Sequence, residues 1–158
     1  MKIGILSDSH DNVSALKKAV GLFNDAEVDL VLHAGDFVSP FTAGPLKELN
    51  ADFIGVFGNN DGDKLNLNKA LDSKVFLSPH ILEVESLKIL LMHEPYLLST
   101  IEKSGDFDVI IYGHTHEVDI RKGLSLVINP GECGGWLNGD RTIAILDTYE
   151  MKVNILRV

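Results

Sequence analysis

Cysteine is almost missing from this 158-residue sequence: Cys133 stands alone, so no disulfide can close within the chain. Basic side chains are also scarce, 14 Lys and Arg against 23 Asp and Glu, and the formal net charge of −9 disfavours extended nucleic acid and anionic membrane surfaces as partners. No apolar run approaches the length needed to span a bilayer. Repeats, linkers and low-complexity stretches are lacking too. The opening Met1-Lys2-Ile3-Gly4-Ile5-Leu6 enters a strand pattern without the layout of a signal peptide. The expected compartment is a reducing cytoplasm, which excludes a disulfide-stapled secreted scaffold.

What is present reads as globular: 45% hydrophobic and 23% charged residues. One domain over residues 1–158 is expected, long enough to bury roughly two-thirds of its unfolded surface without a staple. The acidic balance does not exclude a phosphate substrate, because bound divalent cations invert the local field.

The first half alternates strand and helix. Strands are predicted over Lys2–Ser7, Leu30–Ala34 and Asp52–Phe57. Helices are predicted from about Ser14 to Asp25, with Leu16, Val20 and Phe23 on one face, up to about Leu49, and around Lys64 to Leu71. That order implies a parallel sheet with right-handed crossovers. The second half is richer in strands: Ile81–Glu85, Leu87–Met92, Val109–Tyr112, Val118–Lys122, Leu124–Asn129, Thr142–Leu146 and Lys152–Val158, with one helix near Tyr96–Ser104. Lys122-Gly123 and Tyr149-Glu150 mark hairpin turns, so antiparallel pairs are expected here. The expected class is α/β, two sheets face to face with helices outside.

The informative pattern is where ionisable residues fall. Asp8 and His10 follow the first strand, Asp36 the second and Asn59 the third. His93 ends the Leu87–Met92 strand, and His114 and His116 follow Val109–Tyr112. Carboxyl ends of strands in α/β sheets share an edge where ligands bind, so these residues are expected to converge. Taken singly, each has a bland reading: a hydrogen-bonded structural His, a turn-forming Asp, a helix cap. Four of the six His at strand ends is another matter, since a core seldom tolerates so many polar groups together unless something binds them. Imidazole, carboxylate and one amide, without thiolate, suit Mn, Fe, Co, Ni or Zn better than Ca or Mg. If one carboxylate bridges, seven ligands divide into two sets of four, as for two ions about 3.5 to 4 Å apart.

Asp8-Ser9-His10, Gly35-Asp36, Gly58-Asn59-Asn60-Asp61, His93 and Gly113-His114-Thr115-His116 resemble the ordered motif series of the calcineurin-like metallophosphoesterases. Asn129-Pro130-Gly131-Glu132-Cys133 is similar to a segment of the small single-domain phosphodiesterase branch. The resemblance implies a four-layer αββα sandwich with metals along one edge. By position it assigns Asp8, His10, Asp36 and His116 to one ion and Asp36, Asn59, His93 and His114 to the other, with Asp36 as the bridge. It gives Asp36, Asn59 and His114 catalytic roles, and makes Asn60 and Asn12 candidate substrate contacts. Two divalent transition-metal ions per chain are implied, Mn foremost, with Ni, Co, Fe or Zn as alternatives. The implied reaction is hydrolysis of a small phosphodiester by a metal-bridging hydroxide, with a homodimer left open.

Two positions depart from the family pattern. Many members carry a His after the motif Asn, where it protonates the leaving oxygen or contacts phosphate; here Asn60 stands there, and an amide is no general acid near pH 7. Glu94 replaces a common Gly and either approaches the cluster or points to solvent, the second being the ordinary fate of Glu. Asn12 either lines the pocket or caps the first helix. His33 reads as structural, His80 as a loop residue, and Cys133 as inert packing. Trp136, among Gly134, Gly135 and Gly139, is an aromatic lip, a dimer contact or a plug for the core. Two competing readings stay open: a retromer-scaffold-like protein-binding module on the same fold, and a phosphomonoesterase or nucleotide-specific phosphatase.

Overall fold

The computed structural model describes residues 1–137 and 139–158. Its first strand, β1 (Lys2–Leu6), buries Ile3, Ile5 and Leu6 completely. The chain then turns at Asn12, whose Oδ1 accepts from the Ala15 N–H at 3.1 Å and caps α1 (Val13–Asp25). Leu16, Val20 and Phe23 recur at helical spacing, and that face is buried. β2 (Leu30–His33) and β3 (Asp52–Val56) follow, joined through a 3-10 turn at Pro40–Thr42 and the short α2 (Ala43–Leu46). α3 (Lys64–Ala70), capped by Asp63, leads to β4 (Val75–Phe76). The rest comprises β5 (His80–Val84), β6 (Leu87–Leu91), α4 (Leu98–Ser104), β7 (Val109–Ile111), β8 (Val118–Lys122), β9 (Leu126–Pro130), β10 (Thr142–Asp147) and β11 (Lys152–Arg157).

Two mixed sheets result. The first has the order β11-β10-β1-β2-β3-β4, with β1 to β4 parallel and β10 antiparallel to β1 through partners such as Ile3 and Leu146. The second has the order β5-β6-β7-β9-β8, parallel through β6, β7 and β9 and closed by antiparallel edges. Three apolar layers separate the elements. Ile3, Ile5, Leu32, Ile89, Ile111 and Ile128 fill the space between sheets. Leu16, Phe23, Val31, Phe53 and Leu67 join the first sheet to its helices, and Leu90, Ile110 and Val127 meet Leu98 and Ile101 of α4 on the far side. The αββα order expected from the sequence is the one observed.

Local differences have local causes. β4 was not anticipated, since two residues are too few to show a period. α4 starts at Leu98 rather than near Tyr96, because Leu97 adopts a left-handed backbone with φ of 53°. β9 starts at Leu126, not Leu124, whose side chain is exposed in the hairpin turn.

Candidate metal centre

The parallel strands deliver their carboxyl ends to one rim, and the polar residues that follow them meet there. Asp8 and Asp36 are locked side by side by backbone bonds: the Asp8 N–H donates to Gly35 O at 3.0 Å and the His10 N–H to Asp36 O at 3.1 Å. To turn the side chains inward, the chain takes the left-handed region at Asp8 (φ 54°), His10 (42°), Asp36 (60°), His114 (69°) and His116 (61°). Asp and His tolerate that region better than most residues, yet each still costs about 1 kcal/mol or more. The glycines ahead of the motifs are needed for close approach. A Cβ at Gly58 would lie 2.1 Å from Asp36 Oδ1, and one at Gly113 would lie 1.9 Å from Ser7 Oγ.

All seven candidate donors are brought together. Asp8 Oδ1 lies 3.7 Å from His10 Nε2 and 3.5 Å from His116 Nε2. Asp36 Oδ2 lies 3.6 Å from His10 Nε2 and 3.4 Å from His93 Nε2, so this one oxygen faces both halves of the cluster. Asn59 Oδ1 is 2.9 Å from His93 Nε2 and 2.9 Å from His114 Nδ1. Asp8, Asp36 and His93 are buried; Asn59 and His114 are open to solvent.

The donor chemistry fits a cation. His93 Nδ1 contacts the carbonyl of Ala34 at 2.8 Å, and a carbonyl only accepts, so the ring proton sits on Nδ1 and Nε2 turns a lone pair toward Asp36 and Asn59. Asp8 Oδ1 and His10 Nε2 are buried without any hydrogen-bond partner. Imidazole nitrogens facing carboxylate and amide oxygens at about 3 to 3.7 Å, some of them without any other partner, have the spacing of neighbouring ligands of one ion. The charges respond accordingly. Contact with the Asp8 carboxylate raises the His10 imidazole above its usual pKa. Burial lowers that of His93, but nearby Asp36 outweighs it and the net shift is upward. Burial of Asp36 is overcome by His93 and the Asn60 donors, which hold it well below the usual carboxylate range.

A supporting ring surrounds the donors. Asn60 gives its N–H to Asp36 Oδ1 at 2.8 Å and its side-chain amide to Asp36 Oδ2 at 2.7 Å. Asp61 accepts from the N–H groups of Gly58 (2.7 Å), Val38 (2.7 Å) and Asp36 (3.2 Å), tying two ligand loops together. Glu132, almost wholly buried, places Oε2 3.3 Å from His116 Nδ1 and accepts from the N–H groups of Trp136 and Leu137. Asn129 donates to Gly113 O and Thr115 Oγ1, both at 3.0 Å, fixing the loop that carries His114 and His116.

Sequence reasoning gave Asp61, Asn129 and Glu132 no role. Their only signal was membership in the Gly58–Asp61 and Asn129–Cys133 motifs. Asn12 spends Oδ1 on the helix cap and Nδ2 on Gly134 O at 2.8 Å, the geometry of the capping alternative. His33 is structural: Nδ1 accepts from Gly35 N at 3.1 Å, Nε2 meets Ser9 Oγ at 3.1 Å, and burial lowers its pKa to about 3. Glu94 turns to the surface and accepts from the Tyr96 hydroxyl. His80 stacks on Phe76. Trp136 is 64% exposed and so does not plug the core. Among the described residues no helix is long and apolar enough to cross a membrane.

Known proteins share this sequence pattern and this fold. The calcineurin-like phosphoesterase superfamily domain matches residues 1–151. A phosphodiesterase of Methanocaldococcus jannaschii is 45% identical over 155 residues, covering 94% of this chain and 93% of its own. The solved structure of an archaeal phosphodiesterase superposes with a TM-score of 0.93 at 41% identity, covering all of both chains. Zinc-complexed Vps29 of Entamoeba histolytica shares the fold, with a TM-score of 0.72 at 19% identity over 100% of this chain and 98% of its own.

Proposed function

Because the chain belongs to the calcineurin-like phosphoesterase superfamily, we propose that it is a metal-dependent phosphodiesterase. Asp8, His10, Asp36 and His116 would hold one divalent ion and Asp36, Asn59, His93 and His114 a second. The observation that carries this reading is that Asp8 Oδ1 and His10 Nε2, buried and 3.7 Å apart, have no hydrogen-bond partner in the protein. Two bound divalent ions supply Lewis acidity, polarising a phosphoryl group and acidifying water near neutral pH.

The chain's own residues prepare that chemistry. Asp36 presents one oxygen to both halves of the cluster, and Asn60 anchors it through two donors. The Ala34 carbonyl fixes the His93 tautomer. Asn59 and His114 occupy the solvent-facing edge, where a phosphate ester would enter. The net charge of −9 favours a small diester over a nucleic-acid polymer, which would be repelled at distance. Mn is the ion we would supply first, since oxygen and imidazole donors without thiolate suit it.

The test is metal content per chain, followed by hydrolysis of bis(4-nitrophenyl) phosphate before chelation, after it, and after adding back Mn. Turnover should vanish on chelation and return on reconstitution. A protein that binds no metal and turns over no mono- or diester would instead be a binding module on this fold.

A further inference from the structure

Beside the cluster lies a pocket of ≈ 340 Å³ bordered by His10, His116, Asn60 and Glu132 on one side and by Trp136 and Leu137 on the other. Two features set it apart. Its Trp136 indole and Leu137 side chain are 64% and 71% exposed, an unusual state for large apolar groups directly beside a charged site. The indole and the backbone of both residues are nonetheless held. The indole N–H donates to the His10 carbonyl at 3.1 Å, the Trp136 N–H to Glu132 Oε1 at 2.7 Å, and the Leu137 N–H to Glu132 Oε2 at 3.1 Å. The buried carboxylate that faces His116 therefore also holds this lip, and the indole is tethered to the backbone of a candidate ligand.

Resting on the phosphodiesterase reading, we propose that the Trp136–Leu137 pocket selects the substrate, receiving a flat aromatic arm of the diester while phosphorus lies at the cluster. A diester carries an organic group on each side of phosphorus, and a pocket sharing His10 and His116 with the donors adjoins the place where one of those groups would lie. An oriented, exposed indole offers a stacking face to any planar ring, whether a simple aryl group or a nucleobase, whereas an alkyl arm gains little from it.

The test uses three diesters with the same 4-nitrophenolate leaving group and a methyl, phenyl or thymidine 5′ second arm. For the metal-loaded wild type, kcat/KM should favour an aromatic arm over methyl by roughly tenfold. That preference should collapse in Trp136→Ala and largely survive in Trp136→Phe. Whichever of phenyl and thymidine is preferred identifies the kind of ring. An unchanged aromatic-to-methyl ratio in Trp136→Ala overturns the proposal. A second measurement separates this from the activity itself. Trp136 is the chain's one tryptophan, so its fluorescence reports the pocket directly. Phenylphosphonate, which has no ester to cleave, should change the emission of zinc-loaded protein at concentrations roughly tenfold below those at which methylphosphonate does. Equal responses would overturn the pocket assignment even in an active enzyme. A selective response in a protein without turnover would sustain the pocket and sink the phosphodiesterase reading alone.

Discussion

His116 Nδ1 stands 3.3 Å from Oε2 of the buried Glu132, so the ring's other nitrogen is the one turned toward Asp8. The contact is a charge contact without hydrogen-bond geometry; a carboxylate behind a ligating imidazole helps to orient it, and losing such a partner typically costs ten- to a hundredfold in metal affinity. Glu132→Gln should therefore weaken Mn binding by about that factor. Isothermal titration of the metal-free protein measures it, and an affinity within twofold of wild type would mean that Glu132 only holds the lip.

Asp36→Asn should be the most damaging single change in the cluster. It removes the anion facing both His10 and His93 and sets an amide nitrogen against the Asn60 donors. Activity should fall by at least about a hundredfold, and one or both ions should be lost. Elemental analysis alongside the diester assay checks both, and parental metal content with parental turnover would remove Asp36 from the bridging position.

Asn60 gives its backbone N–H and a side-chain N–H to Asp36, and its amide has no proton to transfer near neutral pH. Departure of the alcohol should then rest on its own acidity. Rates across aryl methyl phosphodiesters should fall steeply as the phenol pKa rises. A flat series would mean that another group protonates the leaving oxygen.

Much of this arrangement could be read before any coordinates. Apolar runs that stop abruptly at Asp8, Asp36, Asn59 and His114 announce both a strand and what lies at its end, because a parallel strand buried on both faces leaves polar residues nowhere else to go. Leu16, Val20 and Phe23 announced α1 in the same way. The pairing of β10 with β1 was hidden, since a partner some 140 residues away leaves no local trace beyond alternation. Glu132 was hidden for a different reason. A glutamate reads as a surface residue by default, and only the three N–H or imidazole groups around it explain its burial.

Cys133 has no exposed surface, and burial pushes its thiol up to about 12. With no thiolate near neutral pH it should resist 5,5′-dithiobis(2-nitrobenzoate) in native buffer at pH 8 and release one equivalent per chain in denaturant. Rapid native labelling would mean that the layer between α1 and the first sheet opens readily.

His33 makes stability depend on pH. Its pKa is about 3 in the fold, against an ordinary value of 6.5. Being lower when folded, it leaves stability intact above pH 6.5 and erodes it as pH falls from 6.5 toward 3, while the unfolded chain takes up the proton. At pH 5 the loss is about 2 kcal/mol. Urea unfolding of the wild type and His33→Gln at pH 7 and pH 5 isolates this share, because the other histidines titrate in both proteins. Equal losses in the two would return His33 to an ordinary pKa.

The left-handed turns at Asp8, His10, Asp36, His114 and His116 leave the rim at odds with durability. Glycine would relieve the backbone at each of these positions, but it would remove the side chain that the proposed ions require. Strain along that edge is therefore a cost in stability of about 1 kcal/mol or more at each of five candidate donors.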